Sequence, residues 1–240
     1  MTSQSYVSRE LTHFVGRRLA EDERYDEQYE LLIRILKEGW LKADPENRNE
    51  LYPWPTEDAF VLNIESVTED VYQPAFKPHA VCFCDIPVDD LGIHMNKYGN
   101  FGLSFLKPCM IQKGASPVFY CANNSKVITP LHDSRDTYFQ EEFERYMRVY
   151  AAGELSVSDR TALHTFLGYY VFGFIKFFDD EAGEEDANNF YMEREWRVLG
   201  NVRFELGDVY RVILPERYAE RFREDLPDYS AHLSIAATPL

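Results

Sequence analysis

The stretch Asn189-Phe190-Tyr191-Met192-Glu193-Arg194-Glu195-Trp196-Arg197-Val198-Leu199 sets two carboxylates and two guanidiniums into a run that otherwise reads as a strand. If the run is extended, a side-chain period of two puts Glu193, Glu195 and Arg197 on one face and Arg194, Trp196 and Val198 on the other. That pattern has two readings. The glutamates can be solvated, salt-bridged residues of an exposed strand. Alternatively one face is packed while the other presents a Glu-x-Glu pair, which can hold one carboxylate against a developing positive charge and a second against an acceptor.

Working outward, the 240-residue chain has enough apolar and aromatic content for a packed core and fits one large domain or two small ones. Its formal charge of −16 keeps it soluble and opposes non-specific attraction to anionic lipid or duplex DNA. A nucleic-acid contact therefore needs a local basic path, for which Arg17, Arg18 and Lys97 are candidates. No basic segment precedes an apolar leader, and the uncharged run from Thr165 to Ile175 is too short to span a bilayer. The expected location is cytoplasmic, away from membranes. Cys82, Cys84, Cys109 and Cys121 sit among apolar residues, which suits reduced core thiols. Cys82-x-Cys84 is tighter than the usual zinc spacing and no second pair follows it, so no metal ligands are assigned.

Residues 25–40 read as an amphipathic helix, with Tyr25, Tyr29, Leu32, Ile33, Leu36 and Trp40 at helical spacing and Gly39 available to end it. Prolines and polar residues over 43–55 read as a loop and a candidate lid. Strands are expected at 80–87, 101–106, 117–121 and 208–214, with a short helical turn through Asp89, Leu91 and His94. Apolar stripes predict two helices over 139–150 and 162–178, an acidic loop follows at 179–186, and a short helix through Tyr218 and Phe222 precedes a weakly patterned tail. This order predicts an α+β fold, with mixed or antiparallel sheets flanked by helices. We expect one domain over residues 1–240, with a helical insertion at about 136–178. No glycine-rich nucleotide loop and no nucleophile elbow appears.

Residues 8–17 (SRELTHFVGR), 81–105 (VCFCDIPVDDLGIHMNKYGNFGLSF) and 114–120 (GASPVFY), with YMEREWRVLGNVRF, resemble the AbiGi-type family of abortive phage-infection proteins. The likeness runs in order along most of the chain, and EREWR and KYGNFGLSF are its most specific parts. That family's founding assignment is the antitoxin half of a two-gene phage-resistance system. The same landmarks resemble, more distantly, the ADP-ribosyltransferase fold and its DarT-like members, which modify nucleic acid. In that likeness His13 in LTHF matches a first-strand motif, Tyr98-Gly99-Asn100-Phe101-Gly102 matches the turn entering the middle strand, and Glu195 matches the late glutamate.

The transferase resemblance implies NAD as a substrate and assigns roles by chemistry. Cleaving the nicotinamide–ribose bond builds oxocarbenium character, which a carboxylate such as Glu195 stabilises while Glu193 orients or deprotonates the acceptor. His13 would meet the adenosine ribose, Arg9 or Arg17 the pyrophosphate, and Tyr98 would stack on nicotinamide. Against this, a lone histidine in a strand is commonly a packed structural residue, Tyr98 beside Gly99 reads equally as a turn aromatic, and Asp85 reads as a strand-end cap.

Two functions follow from these resemblances. The first is a phage-defence toxin that transfers ADP-ribose from NAD to a cytosolic macromolecule, RNA or single-stranded DNA included, and is restrained by a cognate partner protein. The alternative is a non-enzymatic antitoxin or interaction component whose acidic surface engages a basic toxin. A metal-dependent nuclease finds no ligand constellation to support it.

Overall fold

A computed structural model describes residues 8–21, 23–43, 80–122, 171–179, 181–183, 186, 189 and 191–236. The candidate lid at 43–55 beyond Ala43, the predicted helix at 139–150 and most of the one at 162–178 lie outside these residues, as does the Arg18 side chain. The chain divides into two compact units, one formed by Met1–Trp54, Ala80–Pro117 and Glu193–Leu240, the other by Pro55–His79 and Val118–Met192.

The first unit is built on seven strands: β1 (Glu10–Phe14), β3 (Ala80–Cys84), β4 (Gly102–Leu106), β5 (Ser116–Pro117), β8 (Glu195–Leu199), β10 (Val209–Pro215) and β11 (His232–Ala236). They run in the order β11-β10-β4-β1-β3-β8-β5. Every neighbouring pair is antiparallel except β10 and β11, which are parallel, so the sheet is mixed. A small antiparallel pair joins β2 (Trp40–Leu41) to β9 (Val202–Arg203). Its described residues also form the helices α1 (Arg17–Glu21), α2 (Tyr25–Glu38), α3 (Gly92–Tyr98), α4 (Lys107–Gln112) and α5 (Ala219–Asp225). The α+β class is therefore the one expected, and the sheet is the mixed alternative.

Helix α2 forms because Tyr29, Leu32, Ile33 and Leu36 recur on one face and are all buried. It stops at Gly39, which takes φ +71° and closes the last turn by donating its amide to the Ile35 carbonyl. Glycine is required there twice over, because a Cβ would lie 2.5 Å from the Phe204 carbonyl oxygen.

The two faces of the sheet differ in chemistry. Leu11, Val81, Phe83, Leu103, Phe105, Val198 and Val212 alternate onto one side and join Tyr29, Leu32 and Leu36 in the main core. Register places Ser104 and Cys84 opposite Thr12, and Glu195 opposite Cys84, so these four form a row across the other side. All four are buried. A smaller apolar cluster of Cys84, Ile86, Leu91, Ile213 and Ala236 covers part of this second side.

In the second unit, β6 (Phe119–Ala122) pairs in parallel with β7 (Ile175–Phe178). Tyr120, Phe178 and Tyr191 pack their rings together there, with centroids 4.8 to 6.2 Å apart. Residues 175–178, expected to end a helix, are thus a strand. An aromatic stripe satisfies either period over so short a run, and the backbone partner at 119–122 decides between them. The single strand expected at 117–121 is two, β5 and β6, which belong to different sheets.

Candidate functional site

The charged stretch from Asn189 to Leu199 is not one extended run. Glu193 closes a 3-10 turn at Tyr191–Glu193, Arg194 takes φ +45°, and the strand begins only at Glu195. A non-glycine residue at positive φ is uncommon, and here it breaks the alternation between the two glutamates. The pivot is held at both ends of Arg194: its carbonyl accepts the Asp85 amide at 3.2 Å, and its guanidinium lies 3.5 Å from the Asp85 carboxylate. Lys107 reaches the same carboxylate at 2.8 Å and sits over the Trp196 ring.

Neither glutamate is presented to solvent. Glu193 is 6 % exposed, Glu195 5 % and Arg197 6 %. The Arg197 Nε donates to Glu195 Oε1 at 2.6 Å, as two side chains on one strand face can. Glu193 Oε1 accepts from Lys97 Nζ at 2.7 Å and from the Tyr98 hydroxyl. These two donors come from the last turn of α3, so the helix and the turn before β8 are fastened together by a charge-assisted bond.

Tyr98 is the centre of this arrangement. Phe14 of β1 stacks on its ring at 6.0 Å and His94, one turn earlier in α3, at 6.4 Å. The guanidinium of Arg17 lies 5.3 Å from the ring centroid. Burial raises the Tyr98 pKa far above its ordinary value, and the charges of Glu193 and, more weakly, Glu195 add to that. The phenol stays protonated and donates. Beside it, burial and then the Glu193 charge push the Cys84 thiol up to about 12, so this cysteine is not a nucleophile at neutral pH. His94 is buried, which lowers its pKa against the opposing pull of Glu193. Its Nδ1 makes no hydrogen bond.

The structure thus brings four of the sequence-predicted residues to one place: Glu195, Glu193, Tyr98 and Arg17. His13 is not among them. Alternation along β1 turns it to the sheet side opposite Thr12 and Phe14, where its ring lies 5.7 Å from Phe83. Its Nδ1–H donates to the Cys82 carbonyl at 2.8 Å, which fixes the tautomer because a carbonyl can only accept. Strands β1 and β3 share a single register pair, Thr12 with Cys84, so the ring takes up a carbonyl beyond their paired stretch. Enclosure of the ring lowers its pKa. Arg9 is exposed at the bend before β1, its carbonyl accepting the Lys107 amide.

Sequence reasoning missed Lys97 and Arg197 as the partners of the two glutamates, and Thr12, Ser104 and Cys84 as neighbours of Glu195. The signal available was weak: a glutamate and an arginine two apart on one strand face can pair, and the rest required the strand order. All four cysteines are free thiols, as expected, but only Cys84 lies in the core, since Cys82 is exposed and Cys109 and Cys121 are half-buried. Cys82 shares the side of Cys84, at the register position of Arg197. Among the described residues no group of three acidic, histidine or cysteine side chains is placed to hold a metal ion. No described helix is long and apolar enough to cross a membrane.

No curated protein and no solved structure matches the chain. A family model described as "Putative abortive phage resistance protein AbiGi, antitoxin" matches residues 62–226. The match takes in α3, β4, β8 and β10, and with them every residue of the Glu193–Lys97–Tyr98 and Glu195–Arg197 contacts. Covering more than half of the sequence, it establishes that this chain belongs to the AbiGi family of abortive phage resistance proteins.

Proposed function

We propose that this protein is the antitoxin component of a two-gene abortive-infection system, acting by binding a partner toxin and not by catalysis. The observation that carries the reading is the match over residues 62–226 to a family described as an antitoxin. The geometry around the glutamates agrees with it. Both carboxylates are buried and engaged by cations, which is what a structural role requires of a charge kept out of water. With a formal charge of −16, the surface suits a partner with a basic face, and attraction of that kind speeds association while weakening with salt. The test is growth of cells expressing this gene alone, its neighbour alone, or both. The expected pattern is no harm from this chain alone and rescue of the neighbour's toxicity by co-expression. Toxicity of this chain expressed alone would overturn the reading.

A second reading, an NAD-dependent ADP-ribosyltransferase acting on a cytosolic macromolecule such as RNA or single-stranded DNA, has one observation in its favour. Tyr98, Arg17, Glu193 and Glu195 gather around α3, so an aromatic face, a cation and two carboxylates stand together. His13 would serve that site only from the other side of the sheet. Labelled NAD incubated with the purified protein and cell extract separates the two readings, because only a transferase labels a macromolecule, and only its Glu195→Gln variant loses the label.

A further inference from the structure

The seven-stranded sheet ends differently at its two edges. On one side, β5 is two residues long and includes Pro117, which has no amide hydrogen to offer a new strand. On the other, β11 is His232-Leu233-Ser234-Ile235-Ala236, five residues without a proline, a lysine, an acid or a bulge. Among the described residues no strand pairs with the outer side of β11. Over the described residues this edge is open and uncharged, which makes it a template for another strand, and β11 itself carries none of the charges, prolines or bulges that blunt such an edge.

Two further observations say what strand fits. The first is charge. Residues 229–240 contain no Asp, Glu, Lys or Arg, although 28 % of the whole chain is charged. Two molecules of charge −16 repel each other over most of their surfaces, and this segment lets them touch without setting like charges face to face. The second is self-complementarity. Leu233 packs on the main core, while Ile235, on the same side by alternation, is 47 % exposed. Antiparallel pairing of two copies about a two-fold axis at Ser234 places Ile235 of each copy opposite Leu233 of the other, as an isologous contact demands. Ser234 itself is turned to the other side, where it is held by Arg211 at 2.7 Å.

From this edge we infer that the protein forms a homodimer by β11-to-β11 pairing, joining two seven-stranded sheets into one. The inference is independent of the antitoxin reading, since it concerns the opposite end of the sheet from Glu195 and a second copy of this chain. Light scattering after size-exclusion chromatography, at tens of micromolar protein, is the first measurement. The expected result is a dimer whose dissociation constant falls as salt is added, because screening removes the repulsion between two acidic molecules. A heterocomplex held by charge attraction responds to salt in the opposite direction. Ile235→Lys, on an exposed side chain that leaves the fold intact, should weaken the dimer by about tenfold or more, the loss of two apolar cross-strand contacts. Ser234→Cys should cross-link two copies under oxidation to an extent that wild type, with its own exposed Cys82, does not. A wild-type monomer at these concentrations overturns the inference. So does an Ile235→Lys dimer of unchanged affinity and melting temperature, or an absence of extra cross-linking at Ser234→Cys. If Ile235→Lys disrupts only a complex with the neighbouring gene's product, the edge belongs to that partner and the homodimer is wrong.

Discussion

The two sides of the seven-stranded sheet are made by alternate residues of the same strands, yet one is apolar and the other carries buried ions. Phe83 and Phe105, from β3 and β4, meet edge to face in the main core, with ring centroids 6.1 Å apart. Their neighbours Cys84 and Ser104 turn the other way, into the row that ends at Glu195. Apolar contacts are tolerant of exchange so long as volume is kept, whereas a buried charge depends on its own partner. The first side therefore supplies stability and the second side fixes one arrangement of α3 and the turn at Arg194.

The largest expected effects test that division directly. Phe105→Ala should cost about 3–5 kcal/mol in a denaturant melt, through lost burial and the cavity left behind. Glu195→Ala should cost a comparable amount, about 3–5 kcal/mol, by taking the paired carboxylate from buried Arg197. The two differ in rescue. Glu195→Leu combined with Arg197→Met should be less destabilising than Glu195→Ala alone, because the guanidinium that loses the Glu195 carboxylate is removed with it. Additive losses in the double variant would show that the pair is not the unit that matters.

A smaller effect is expected at the centre of the polar row. Thr12 and Ser104 share a buried hydroxyl–hydroxyl bond at 2.8 Å. Thr12→Val strands the Ser104 hydroxyl and should cost about 1–3 kcal/mol, most of it recovered by adding Ser104→Ala. Equal stability of the single and double variants would remove this bond from the account.

The least sharp effect is the dependence of stability on pH, where both sides contribute. His13 and His94 have folded pKa values lowered by burial from an ordinary 6.5. The unfolded chain takes up protons first as pH falls through 6.5, so stability declines below that pH. Cys84 is raised from 9 to about 12 in the folded protein, so the unfolded thiol ionises first and stability also declines as pH rises above 9. Thermal melts across this range should show a plateau near neutrality. His94→Gln should reduce the acid-side slope, and an unchanged slope would assign the acid loss elsewhere.

Elements whose signals are local were legible in the sequence. Helix α2 and its stop at Gly39 follow from periodicity and from a glycine at the required position. Strands β4 and β10 fall at or within one residue of their expected limits. Strand β3 stops at Cys84, before the Asp85 to Pro87 extension expected of it. The tail expected to be weakly patterned carries β11, because His232-Leu233-Ser234-Ile235-Ala236 has too little contrast to declare itself without β10 alongside.

The sequence by itself determined the α+β class, the cost of the two glutamates near Trp196 and the choice of Tyr98 as a residue to watch. Tertiary structure alone decided that Glu193 leaves the strand through a positive φ at Arg194, that Lys97 and Arg197 neutralise the two carboxylates, and that His13 and Glu195 face opposite sides. The physical reason is that a period of two says which residues share a face within one strand, while only strand order and register say what stands across from them.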